Sequence, residues 1–438
     1  MAERRVVITG LGVVSPAGVG AEALWQALMA GRSCTRTISL FDAGKFPCRV
    51  GGQLEEGFSA RKYVPRDYRK AVKVMARDIE IAVAAADLAV RDAGLVTAGT
   101  GDGEPTVPPG RLGCNIGAGL ICSDLDELGS AVNSAVTDGH FDIHKWGSSG
   151  MNNLTPLWLL KYLPNMLACH VTIIHQAKGP SNTITCGDAS GHLTVGEAAR
   201  LIARGDADVV IAGGAESKLN PMGLLRQSLL KRLCTSRNDS PARACRPFDS
   251  SADGTVIGEG AGLLILEALE HARARGAKIY ADIAGFGAAC NPAGIDVLAP
   301  NNGGLDLAVS KALADAGISA KDVGAIITHG TAVPGEDRCE AAAWQTVLGD
   351  AAAKAPAAAI TGAIGSLFAA AGGVELAVAA MALHTAALPP TVNFQEPADG
   401  CDLNLSAQAR PVRARYVVSG AFGTGGQSAA CVLKRNEP

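Results

Sequence analysis

Three side chains that could together move an acyl group lie far apart in this 438-residue chain: the carboxylate of Asp188, the imidazole of His329 and the hydroxyl of Ser366. By type they are the members of a hydrolytic triad, in which Asp188 would orient His329 and His329 would activate Ser366 to hydrolyse or transfer an acyl group. That chemistry requires the three to meet, which residue types alone do not establish. Asp188 sits in Ile184-Thr185-Cys186-Gly187-Asp188-Ala189-Ser190-Gly191, ahead of a run at 196–202 that reads as helix. A carboxylate at a helix N-terminus is favoured by about 0.3–1 kcal/mol, so Asp188 also reads as a structural cap. His140, His144, His170, His175, His192, His271 and His384 share no metal-ligand spacing, and no metal is expected.

Strands and helices must bring these residues together. Short apolar runs at 5–10, 208–212, 262–266 and 324–327 have the length and glycine punctuation of buried strands. Helical stretches such as 71–93 and 305–316 separate them, which predicts an alternating α/β architecture. His329 follows such a strand at the start of a polar loop. Each half also carries a glycine-rich strand, 209–214 and 417–420, a faint sign of duplication. The turn-forming stretch 98–105 reads as a surface loop.

The length allows a sizeable core. A net charge of -3 with scattered Lys and Arg supplies no basic field for nucleic acid or an anionic membrane. Twelve cysteines without a CxxC pair read as buried small hydrophobes in a reducing compartment. Met1 to Arg5 lead into a strand too short for a signal h-region, and no run reaches the roughly 20 apolar residues of a membrane span. A soluble cytoplasmic protein is expected.

Several landmarks occur together: Val6-Val7-Ile8-Thr9-Gly10-Leu11-Gly12, Gly179-Pro180, Gly213-Gly214-Ala215-Glu216, Cys245-Arg246-Pro247-Phe248-Asp249, His329-Gly330-Thr331 and Gly420-Ala421-Phe422-Gly423-Thr424-Gly425-Gly426. In these the chain resembles the beta-ketoacyl-acyl carrier protein synthases, thiolase-superfamily enzymes that elongate fatty acids and polyketides. The resemblance implies a duplicated, five-layered αβαβα thiolase fold, with halves expected at 1–250 and 251–438. It also implies a cysteine nucleophile, two histidines that hold the malonyl thioester, and a lysine.

Counting without gaps from Gly179-Pro180 or back from Gly196 puts Asp188 at the nucleophile position, two residues beyond Cys186. His329 takes the first histidine position, Ser366 the second and Thr361 that of the lysine, while Glu375, its expected partner, is kept. Thr331 remains to help hold phosphopantetheine, but Val333 replaces a second threonine, and Thr424, beside Gly425, stands where an aromatic gate is expected. A carboxylate attacking a thioester would give a mixed anhydride, so condensation, the acyltransferase activity implied by the family, is expected to be lost.

The reading that follows is a chain-length-factor-like partner that shapes the tunnel of a complete ketosynthase. Three alternatives stand beside it. Malonyl decarboxylation would need an oxyanion held opposite a charged Asp188. Hydrolysis or acyl transfer would need the triad, and a homodimeric acyl or carrier-protein binder would need neither. Acyl carrier protein is the expected partner and brings its own phosphopantetheine, so no resident cofactor is expected. The resemblance places 155–166 at a dimer interface, with a ketosynthase or a second copy, and along the acyl tunnel.

Overall fold

The computed structural model describes residues 4–100, 103–292 and 304–437; residues 1–3 of the N-terminal run and 101–102 of the expected surface loop lie outside it. Five strands come from the first part of the chain: β1 (Val6–Ser15), β2 (Leu112–Ala118), β3 (Ser181–Ile184), β4 (Val209–Ser217) and β5 (Ile257–Ala268). Five more follow: β6 (Ala281–Cys290), β7 (Val323–Thr328), β8 (Ala357–Ala359), β9 (Tyr416–Phe422) and β10 (Gln427–Lys434). Hydrogen bonding orders the first set β3-β2-β4-β5-β1 and the second β8-β7-β9-β10-β6. The pairing repeats in detail: the strands at the β1 and β6 ends are antiparallel, and the two junctions nearest β3 and β8 are parallel. The two sets join where Val6, Val7 and Ile8 of β1 pair with Ile283, Asp282 and Ala281 of β6.

Helices separate and cover these layers. α1 (Arg77–Asp92) packs outside β1, β4 and β5, while α2 (Ser190–Arg204) lies on β4 and β2 on the inner side. α3 (Leu305–Asp315) covers β6 and β10, and α4 (Pro334–Leu348) packs on α3. α5 (Ala371–Thr385) touches β4 and β5 of one set and β7 and β9 of the other. The order across the molecule is therefore α1, first strand set, α2 with α5, second strand set, α3 with α4, the five-layered αβαβα thiolase fold. Three buried apolar clusters fill the spaces between layers.

Local sequence explains these contacts. A Cβ at Gly12 of β1 would lie 1.9 Å from the Ala85 carbonyl oxygen of α1, and one at Gly287 of β6 would lie 2.1 Å from the Ala308 carbonyl oxygen of α3. Only glycine admits helix backbone so close to the strand. α5 has no polar face turned to water because it meets strands on both sides, its one carboxylate, Glu375, being buried. The apolar window Phe368–Thr385 would satisfy a membrane span by length and composition, but 89% of it is buried inside the protein.

Two expectations need correction. β5 follows residue 250 yet pairs with β1 and β4, so the first half runs through β5 and the division falls between Ala268 and Ala281. The helix expected over 71–93 begins only at Arg77, because Met75 and Ala76 have extended backbone that ends the short turn Ala71–Val74.

Candidate functional site

Both central helices begin at the same place. A Cβ on Gly191 of α2 would sit 2.7 Å from the Gly373 nitrogen of α5, and one on Gly372 would sit 2.5 Å from the His192 nitrogen. This close approach draws together the turns that precede the two helices, Gly187–Ala189 and Phe368–Ala370. Asp188 occupies the first turn and is buried. His329 leaves the end of β7, with its backbone N–H and that of Gly330 donating to the two oxygens of Glu340 at 2.8 and 2.7 Å.

The His329 ring lies between two carboxylates. Its Nδ1 donates to Glu375 Oε1 at 2.9 Å, and its Nε2 faces Asp188 Oδ2 at 3.9 Å, beyond hydrogen-bonding distance. Burial opposes a charge on this ring, but Glu375 and Asp188 together raise its pKa well above the ordinary imidazole value. Burial would likewise raise Asp188; His329, Arg232 and Lys218 outweigh it and hold the carboxyl below its usual value. Asp188 and His329 thus form a buried carboxylate–imidazolium pair at neutral pH.

Arg232 is the second cation beside Asp188, its Nη2 lying 3.9 Å from Oδ2. It is fixed from behind by Glu336 at 2.7 and 2.8 Å and donates through Nη1 to Gln227 Oε1 at 3.0 Å. Lys218 is paired with Glu216, whose other oxygen accepts the Ala369 N–H at 2.9 Å. The Phe368 ring sits 5.7 Å from the Lys218 ammonium and 6.0 Å from the Arg232 guanidinium. Phe368 holds this position with a φ of 52°, a left-handed backbone uncommon for a bulky residue.

Asp188, Lys218, Gln227, Arg232, Phe368 and Thr424 line a cavity of about 410 Å³. Its wall also includes Leu120 and Pro164, and Leu120 is exposed at the surface. Thr424 is half-buried and Gly425 exposed in the turn joining β9 to β10.

The remaining expected residues are close in the fold but play different parts. Ser366 is buried and its Oγ makes no hydrogen bond; its backbone pairs with Val256 and Gly258 at 2.8 Å. With both ring nitrogens of His329 turned to carboxylates, Asp188 and His329 meet but the hydrolytic triad with Ser366 is not assembled. Thr361 donates to the Gly330 carbonyl, and Glu375 serves His329. Thr331 accepts the Val333 N–H at 3.2 Å and lies outside the cavity lining. Cys186 is half-buried with its thiol pKa raised by burial, which disfavours the thiolate. Among the described residues no group of three or more His, Cys, Asp or Glu is placed to hold a metal.

Lys218, Gln227 and Arg232 were not legible as site residues. The Arg232–Glu336 pair spans 104 positions, and neither residue lies in a landmark. His192, dismissed as a metal ligand, also belongs here: its Nε2 is 2.9 Å from Ser419 Oγ and 3.8 Å from Glu375, extending the buried polar chain behind His329.

Comparisons with known proteins identify the family and the fold. Residues 3–272 match the family described as Beta-ketoacyl synthase, N-terminal domain, and residues 280–395 match Beta-ketoacyl synthase, C-terminal domain. The 3-oxoacyl-[acyl-carrier-protein] synthase 2 of Vibrio cholerae is 35% identical over 438 residues, covering 99% of this chain and 100% of that protein. The ishigamide ketosynthase/chain length factor superposes with a TM-score of 0.84 at 28% identity, covering 100% of both chains. A type II polyketide acyl-carrier protein in complex with its ketosynthase bound to the hexaketide gives a TM-score of 0.84 at 27% identity, with 99% of this chain and 100% of that one covered.

Proposed function

This chain belongs to the beta-ketoacyl synthase family, and on that premise we propose that it is a non-condensing, chain-length-factor-like partner of a complete ketosynthase in fatty acid or polyketide biosynthesis. The observation that carries the reading is the buried Asp188 at the nucleophile position, held as a carboxylate between His329 and Arg232. An ionised carboxylate in that position cannot keep an acyl chain as a thioester, and the imidazolium beside it cannot act as a base. What such a site retains is a fold, a cavity and surfaces for partners.

Those surfaces support the assembly part of the proposal. β3 is the edge strand of its set and is largely exposed. The segment 155–166 exposes Leu157 at 74% and Leu159 at 57%, apolar surface that supports a contact there. Acyl carrier protein is the proposed second partner, supported by the ketosynthase complex among the structural relatives. A reducing, cytoplasmic setting fits the many buried cysteines.

The test is to incubate the purified protein with malonyl- and acyl-loaded carrier protein, following carrier and protein by intact mass, and then to add a ketosynthase. Unchanged masses alone, together with co-elution with the synthase and a changed product length, are the expected result. Loss of carbon dioxide or of the acyl group, abolished by His329→Ala, would replace the proposal with an enzymatic role; a homodimer that ignores every ketosynthase would leave a binder.

A further inference from the structure

A second cavity, of about 640 Å³, shares no lining residue with the one beside Asp188. It lies where the first turn of α1 meets the end of β4 and the loop after β2, and its lining carries four carboxylates, Asp78, Asp124, Asp126 and Glu259, against two cations, Arg77 and Lys161. Both cations are already matched. Arg77 spends Nε and Nη2 on the two oxygens of Glu259 at 2.9 Å, and Lys161 pairs with Glu127, which is outside the lining. The Ser217 and Tyr162 hydroxyls donate to Glu259 and Glu127 at 3.0 and 2.8 Å. Asp78, Asp124 and Asp126 take part in no ion pair among the described residues. Widening the count to the neighbouring Glu127, Glu216, Lys218 and Arg226 gives six carboxylates against four cations, so the negative excess persists.

Asp124 and Asp126 are exposed, whereas Asp78 is only 4% exposed. Its Oδ1 accepts the Ser217 N–H at 3.0 Å, and its Oδ2 has no partner among the described residues. Burial, with Glu216, pushes this carboxyl up to about 7 against the pull of the Ser217 N–H and of Lys218, which is itself paired with Glu216. A buried carboxyl so placed gains from a cation that brings a hydrogen bond with its charge. Among the described residues no group of three His, Cys, Asp or Glu is placed for a metal. A guanidinium fork asks for both oxygens of a carboxylate, and Ser217 already engages one. A primary ammonium needs only the free one. Phe41, Met75, Leu219 and Met222 of the same lining offer apolar surface to an alkyl body.

We infer that this cavity binds a primary alkylammonium ligand, its N–H donating to Asp78 Oδ2 and its alkyl chain lying among Phe41, Met75, Leu219 and Met222. The inference does not depend on what Asp188 does.

The test is calorimetric titration of the full chain with hexylammonium, 1-hexanol and hexyltrimethylammonium, which share a chain and differ in charge and N–H. Hexylammonium is expected to bind roughly tenfold tighter than hexanol, the margin of a charge-assisted over a neutral hydrogen bond, and tighter than hexyltrimethylammonium, which has charge but no N–H. Asp78→Asn, which keeps an acceptor for Ser217, should erase the preference over hexanol. Met222→Lys, at a half-buried position, puts a competing ammonium into the cavity and keeps the test open if Asp78→Asn fails to fold; it should weaken hexylammonium several-fold more than hexanol. No binding of hexylammonium, parity with or preference for either of the other two probes, or hexylammonium binding unchanged in every variant that folds would overturn the inference.

Discussion

Asp188 and His329 stabilise each other's charge, and the direction of each shift sets the pH range. His329 has a raised pKa in the fold, so its contribution is complete below the ordinary imidazole value and fades as pH climbs through the raised one. Asp188 is depressed, so its contribution is complete above the ordinary aspartate value and fades as pH falls through the depressed one. The pair is thus at full strength across neutrality. Asp188→Asn should drop the His329 pKa toward ordinary, read from the pH titration of its ring carbon in NMR spectra. It should also cost on the order of 2 kcal/mol in urea unfolding, less than the about 3–5 kcal/mol of breaking a tight buried pair, because Glu375 remains. Asp188 was legible by its count from Gly179-Pro180 and from Gly196, and His329 because it follows a strand within the landmark His329-Gly330-Thr331. Lys218 and Arg232 were not, since their roles come from ion pairing and from a ring, Phe368, that chain spacing does not reveal.

At the level of elements, the first turn of α4 stores unusual carboxyls. Asp337 is buried, accepts the N–H groups of Phe248 and Ala332 at 2.7 and 3.1 Å, and is pushed up to about 8 by burial and by Glu340 and Glu336. The folded state holds this proton where the unfolded chain has released it. Its stabilisation is therefore complete below the ordinary aspartate pKa and is lost as pH rises to about 8, at up to about 1.4 kcal/mol per pH unit. Denaturant titrations between pH 6 and 8 should show a shallower decline for Asp337→Asn than for the natural protein.

The glycines facing α1 and α3 make a paired prediction. Gly12→Ala and Gly287→Ala each force a methyl group against a helix carbonyl and should each cost about 1–3 kcal/mol in urea unfolding. Similar losses at the two sites would express the duplication energetically. The matching Gly-Leu-Gly and Gly-Phe-Gly of β1 and β6 were present in the sequence, but their equivalence shows only once each strand lies under an alanine-rich helix. The boundary of the halves was misplaced for a related reason: β5 joins its half by hydrogen bonding across the sheet, a long-range choice that apolar runs do not encode.

For the molecule as a whole, association is the open surface question. Leu157 and Leu159 are exposed on the 155–166 segment, and β3 forms the outer edge of the first strand set. Burying both would contribute roughly 1.5–3 kcal/mol per side chain. Leu159→Asp should therefore shift any assembly formed through this segment toward the monomer in light scattering after size exclusion, with little change in monomer unfolding because the side chain is already exposed.

The position of α5 between the two strand sets also governs when the protein can finish folding. During synthesis, residues 371–385 leave the ribosome after β4, β5 and β7 but before β9 (416–422) and β10 (427–434), so an apolar helix must wait half-clothed while the last strands are made. At about 5–20 residues per second the wait lasts a few seconds. Ribosome-stalled chains ending before Tyr416 should be cut readily by protease near α5, and release of the final segment should close the molecule in one step.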